Sequence, residues 1–207
     1  MPTSLLANLI RLANSLSAQA VIIAVIIAGV TMMITMSEPL LILALLTAYL
    51  AGAVLLASLA APELAFVVAL LGIFSALMMN FTAAERRSLH ISSRRNRIPA
   101  SFRLLLAALA LWVVWSLGLL RQPLQPMSFT TVWELAVAAV ALATATDAFK
   151  AGIVLLLLLS DTLLYYATST AEVSLLVIGV AGLASFAISL AASHLALLQP
   201  SKGEPWP

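Results

Sequence analysis

The chain is a succession of apolar stretches of about twenty residues, separated by very short polar punctuation. Ser37-Glu38-Pro39 and Ala61-Pro62-Glu63 are two such breaks, each set between runs of Leu, Ile, Val and Ala. About twenty apolar residues is the length an α-helix needs to cross the ~30 Å hydrocarbon core of a bilayer. The runs do not alternate with period two, so they fit helices and not the strands of an outer-membrane barrel. Charged residues make up 9% of the chain, against about 25% in soluble domains. These features predict an all-α, polytopic integral membrane helix bundle with about seven transmembrane helices.

The expected spans are 18–36, 39–59, 63–82, 103–120, 131–147, 150–167 and 172–198. Proline suits the first turn of a helix, and Ser or Glu suits its start. Residues 3–16 put Leu5, Leu9 and Leu12 around Asn8 and Arg11 at helical spacing, which fits an interfacial segment or an extension of the first span. Residues 1–82 read as this segment plus a three-helix unit, 83–103 as a basic loop, 104–198 as a four-helix unit and 199–207 as a proline-rich tail. The first span lacks a basic n-region, so no cleavable signal peptide is expected.

The distribution of positive charge predicts orientation. The loop at 83–103 carries Arg86, Arg87, Arg94, Arg95, Arg97 and Arg103. Placing it in the cytoplasm puts Lys150 and Lys202 on the same side and leaves Arg11 and Arg121 outside. The N-terminus is then outside and the C-terminus cytoplasmic, in a cell (inner) membrane. The loop's expected roles are topology and docking to a neighbouring subunit.

Absences narrow the chemistry. There are no cysteines, two histidines and eight acids, so thiolate metal sites and cysteine nucleophiles are excluded and a metal centre is not expected. No phosphate loop, zinc-protease signature or dinucleotide fingerprint is present. No cofactor, no nucleic acid and no catalytic activity of the chain's own are expected.

One acid stands out. Asp161 follows Lys150 by eleven residues in the sixth expected span, roughly 16 Å along a helix, which places it near the middle of the bilayer. A charged side chain there costs about 2.5–3.5 kcal/mol on insertion scales and by default marks an ion or proton pathway. Tyr165, four residues on, shares its helix face. Asp161 and Tyr165 are the leading proton-relay candidates, followed by Lys150, Asp147 and Glu134. Asp147 and Lys150 also read as a charge pair around a turn, and Glu134 as an acid one turn into the fifth helix, near the outer interface. Ser185, Ser189 and Ser193 recur every fourth residue of the last span, beside Gly182. Small residues at that spacing let helices approach closely, and the stripe reads as helix packing.

The stretch from Phe149-Lys150 through Asp161-Thr-Leu-Leu-Tyr-Tyr-Ala, followed by a turn and a last apolar span, resembles the final helices of hydrogenase-4 component E. It is also similar to the K-type small membrane subunit of complex I. In that family a basic residue opens a helix that carries a buried acid, and the next helix may carry a second. Lys150 and Asp161 match the first part. The region of the last span comparable to the second acid has Ser185 and Ser189. The resemblance covers roughly 50 residues and implies a membrane arm coupled to a redox module. The expected function is therefore a non-catalytic membrane subunit of a multisubunit, proton-translocating, energy-converting complex. Its partners would be other membrane subunits and the lipid bilayer. The alternatives are an independent small transporter or channel, and a purely structural subunit.

Overall fold

The computed structural model describes residues 18–58, 62–89, 99–116, 126–169 and 175–198. These residues form seven helices: α1 (Ala18–Ile34), α2 (Glu38–Ser58), α3 (Pro62–Ser88), α4 (Ala100–Ser116), α5 (Pro126–Ala143), α6 (Ala148–Ser169) and α7 (Leu175–Leu197). Among the described residues there is no strand. The expected interfacial segment at 3–16 and the tail at 199–207 lie outside the described residues.

Four helices are long and apolar enough to cross a membrane: Glu38–Ser58, Glu63–Ser88, Ala148–Ala167 and Leu176–Leu197. The other three are apolar but shorter over their described residues. The outer surface is hydrophobic as well, with Ile23, Phe81, Trp112 and Leu183 all more than half exposed. Apolar surface on that scale suits contact with lipid chains and not with water.

Two helices begin or end away from their expected positions. Helix α3 continues to Ser88, so Arg86 and Arg87 belong to its last turn and not to the loop. Cations are favoured there because they face the negative end of the helix dipole. Helix α5 starts at Pro126 and not at residue 131. At the first helical position a proline's missing N–H costs nothing. The turn between α5 and α6 is real. Thr144 to Asp147 leave the helix, and Asp147 caps α6 by accepting a hydrogen bond from the Lys150 backbone N–H at 2.8 Å.

The helices are arranged as two rows of three. Chain neighbours pack side by side in the rows α1-α2-α3 and α5-α6-α7, and the rows meet face to face: α1 on α5, α2 on α6 and α3 on α7. The three-helix and four-helix units expected from the sequence are thus packed into one another. Helix α4 lies at one edge, against α1 and α5 only.

Close approach is set by small residues. A Cβ on Gly72 would collide with the Tyr49 side chain, one on Gly29 with the Trp133 ring, and one on Gly152 with the Cβ of Ala192. These contacts hold α2 to α3, α1 to α5 and α6 to α7. Gly182, expected to be a packing glycine, has only ordinary contact with Leu71 at 3.8 Å, and Gly179 has no neighbour within 4 Å.

Candidate functional site

Polar side chains inside the bundle gather at two levels. The first is the end where α1 and α3 finish and α2, α4 and α6 begin. Arg86, fully buried, reaches Glu38 Oε1 at 3.0 Å and Asp147 Oδ2 at 3.6 Å. Its guanidinium carbon stands 5.2 Å from the centre of the Phe149 ring. One cation thereby ties α3 to the first residue of α2 and to the cap of α6. Arg103, at the start of α4, donates from Nη1 to the carbonyl oxygen of Ile34 at 2.5 Å, which satisfies an orphan carbonyl at the end of α1.

Lys150 is also buried at this end, with 1% exposure. Asp147, its expected partner around the turn, is near enough to act on its charge electrostatically. The hydrogen bond to that carboxylate comes from the Lys150 backbone N–H, and among the described residues Nζ has no hydrogen-bond partner. Arg87 is exposed and folds back on its own helix, with Nε donating to the Ala83 carbonyl at 3.1 Å. Arg94, Arg95 and Arg97 lie outside the described residues.

The second level is deep in the bundle, where the two rows meet. Asp161 on α6 is 5% exposed and Glu134 on α5 is 3% exposed. They are close enough to interact electrostatically. Glu134 Oε1 and Asp161 Oδ1 have no hydrogen-bond partner among the described residues. Glu134 is therefore not an acid at a helix N-terminus near the interface. The earlier start of α5 leaves it near the middle of the helix, and the helix rotation turns it inward.

Tyr49 on α2 completes the centre. It is buried, its hydroxyl donates to the Leu156 carbonyl oxygen at 2.8 Å, and the hydroxyls of Ser75 and Ser185 adjoin it. Glu134 acts on it electrostatically. Ser75 and Ser185 share a hydrogen bond of 2.7 Å. Ser160, next to Asp161, is 4% exposed. Tyr165, one turn on from Asp161, is 62% exposed.

The serine stripe of α7 is used position by position. Ser185 meets Ser75, and Ser193 meets Thr82 at 2.6 Å. Ser189 between them is fully buried, and its Oγ has no hydrogen-bond partner among the described residues. All three serines are small and polar where α7 lies on α3, so packing and hydrogen bonding come together there.

The two levels are joined by α6. Lys150, Val154, Leu157 and Asp161 follow one another at helical spacing on one face, and Val154 and Leu157 are buried. An apolar stretch of about three turns thus separates the cationic end from the carboxyls. Val137, Ala138 and Ala141 of α5, all fully buried, are the apolar residues of the neighbouring helix over the same span.

Among the described residues no cluster of His, Cys, Asp and Glu is arranged to hold a metal ion. Comparison with protein-family models, with curated proteins and with solved structures finds no match.

Proposed function

We propose that the chain is a membrane-embedded, proton-handling subunit of a larger energy-converting complex, with the Glu134–Asp161 pair as its proton-holding centre. The observation that carries this reading is the burial of two carboxyls on adjoining helices, each with an oxygen that no neighbouring donor satisfies. Acids deep inside a membrane bundle are costly and by default serve a pathway. Carboxyls that face one another away from water are a recurrent proton-holding arrangement. Hydroxyls extend the centre toward α2, α3 and α7 through Tyr49, Ser75 and Ser185.

In this reading all seven helices span the bilayer, and the end bearing Arg86, Arg103 and Lys150 faces the cytoplasm. That orientation follows the distribution of positive charge. The second acid missing from the last span is supplied from α5 by Glu134. An independent transporter is the second reading, in which the two buried carboxyls Glu134 and Asp161 serve a path through this chain alone.

The test is purification in mild detergent followed by reconstitution into vesicles that report internal pH. A subunit comes out with stoichiometric partners, and the assembly moves protons. Glu134→Gln and Asp161→Asn keep shape and most hydrogen bonding, so the assembly forms and proton movement falls at least roughly tenfold, the scale of one proton-transferring group. Unchanged proton movement in both variants would sink the proton-handling reading. Isolation of the chain alone, with proton movement intact, would select the transporter.

A further inference from the structure

Six exposed residues of α3 follow one another at alternating intervals of four and three: Phe66, Leu70, Ile73, Leu77, Asn80 and Ala84. They form a nearly straight seam along one side of the helix. Facing lipid accounts for the spacing and for five of the six. It does not account for Asn80. Among the described residues of α3, Asn80 is the one polar side chain exposed between Glu63 and Glu85. Its amide makes no hydrogen bond to any described residue.

The depth of Asn80 makes this costly. The span Glu63–Ser88 has 26 residues, about 39 Å of helix, so its ends pass beyond the ~30 Å hydrocarbon core. Asn80 lies eight residues before Ser88, roughly 12 Å along the axis and about 7 Å from the middle of the span. An amide turned outward at that depth loses its hydrogen bonds to water and gains none from lipid chains. The fold leaves this side open. Helix α4 covers the other end of the two rows by packing on α1 and α5, and no described helix covers α3 in the same way.

We infer that the seam is a dimer interface, on which a second copy of this chain seats its own α3, with the two Asn80 amides hydrogen-bonded to each other. The occupant follows from the amide. Copies inserted in one orientation hold Asn80 at the same depth, and a twofold axis along the membrane normal sets each seam residue against its counterpart. A carboxamide both donates and accepts, so two of them satisfy each other. The interval of four and three suits parallel helices crossing at about +20°, the common left-handed packing in membranes. One polar residue in an apolar seam also fixes the register and the number of helices that meet. The inference rests on α3 crossing a membrane, and proton movement by Glu134 and Asp161 does not enter it.

The experiment places donor- and acceptor-labelled full-length chains together in phosphatidylcholine vesicles at rising lipid dilution, and energy transfer measures pairing. The chain pairs one to one. Asn80→Leu weakens pairing roughly tenfold, the scale of two interhelical hydrogen bonds, and Asn80→Gln, which keeps the amide, recovers most of it. The chain has no cysteine of its own, so an introduced one reports alone. Ile73→Cys, Leu77→Cys and Ala84→Cys each cross-link two copies under a mild oxidant. Leu109→Cys, exposed on α4, does so only at the rate of random collision. Transfer no greater than random proximity, undiminished pairing in Asn80→Leu, or seam cysteines that cross-link no faster than Leu109→Cys would overturn the dimer. Cross-links from the seam to a different polypeptide in native membranes would overturn it as well. A chain released from membranes by salt alone would refute the span itself and the dimer with it, whereas a spanning chain that stays single refutes only the dimer.

Discussion

Ser75 and Ser185 bring their hydroxyl oxygens to within 2.7 Å across the α3–α7 interface, with both side chains fully buried. Each is the other's partner, and both adjoin the Tyr49 hydroxyl. Interhelical hydrogen bonds of this kind inside membrane bundles contribute about 0.6 kcal/mol on average. Ser75→Ala and Ser185→Ala are each expected to destabilise by about that amount, and the double variant by less than the sum. Unfolding in graded denaturing detergent measures the cycle. Additive losses would mean that the two hydroxyls do not interact.

The second expectation concerns Gly152. A Cβ at this position collides with the Cβ of Ala192. Gly152→Ala should push α6 and α7 apart at a cost of about 1–3 kcal/mol, the range for overpacking a tight contact. Ala192→Gly in the same chain should recover part of that loss. Gly179→Ala, by contrast, meets nothing within 4 Å and should be neutral in the same heat-stability assay.

Arg86 pairs with both Glu38 and Asp147 from a fully buried position. Arg86→Met leaves both acids without their cation. Breaking a buried pair costs about 3–5 kcal/mol, and the partial exposure of Glu38 puts the expected loss at the lower end. The triple replacement Arg86→Met, Glu38→Gln, Asp147→Asn should be less damaging than Arg86→Met alone. Equal stability of the single and triple variants would show that the loss has nothing to do with charge.

For the carboxyl pair the expected signature is a separation of assembly from activity. Asp161→Asn and Glu134→Gln should preserve yield and heat stability while slowing proton movement at least roughly tenfold. Asp161→Leu should lower yield as well, because it replaces a polar group inside a polar centre. Tyr165→Phe, on an exposed position, should change proton movement little, whereas Tyr49→Phe should change it more.

Orientation is tested by labelling. Cysteines introduced at Ser88, in the last turn of α3, and at Ser201 should react only from the cytoplasmic side, and one at Ala20 near the start of α1 only from outside. Labelling of Ser88 and Ser201 from opposite sides would mean that the number of spans between them is odd.

Much of the fold was legible because its signals are local. Prolines 39 and 62, with Glu38 and Glu63, mark helix starts, since a missing N–H and a negative charge both suit a helix N-terminus. The apolar runs between them set the helix number and type. Asp161 was legible as well, because a lone acid in an apolar run has no local reason to be there. The same local logic misplaced the ends of α3 and α5: arginines near a helix end and a proline at its start read as loop when taken residue by residue.

What the sequence by itself determined is therefore a set of apolar helices, their approximate limits and one interior acid. Which side of each helix faces inward was decided only by the tertiary structure. A helix that is apolar all round has no hydrophobic stripe, so its sequence does not state its rotation. Glu134, Tyr49 and Ser75 come from α5, α2 and α3, and nothing near them in the chain points to Asp161 on α6. They meet because Gly72 lets α2 approach α3 and Gly29 lets α1 approach α5, which sets the two rows face to face. Arg86 is the same lesson at the bundle end. In sequence it is one of a run of arginines, and only packing against Glu38, Asp147 and Phe149 makes it a buried tie among three helices.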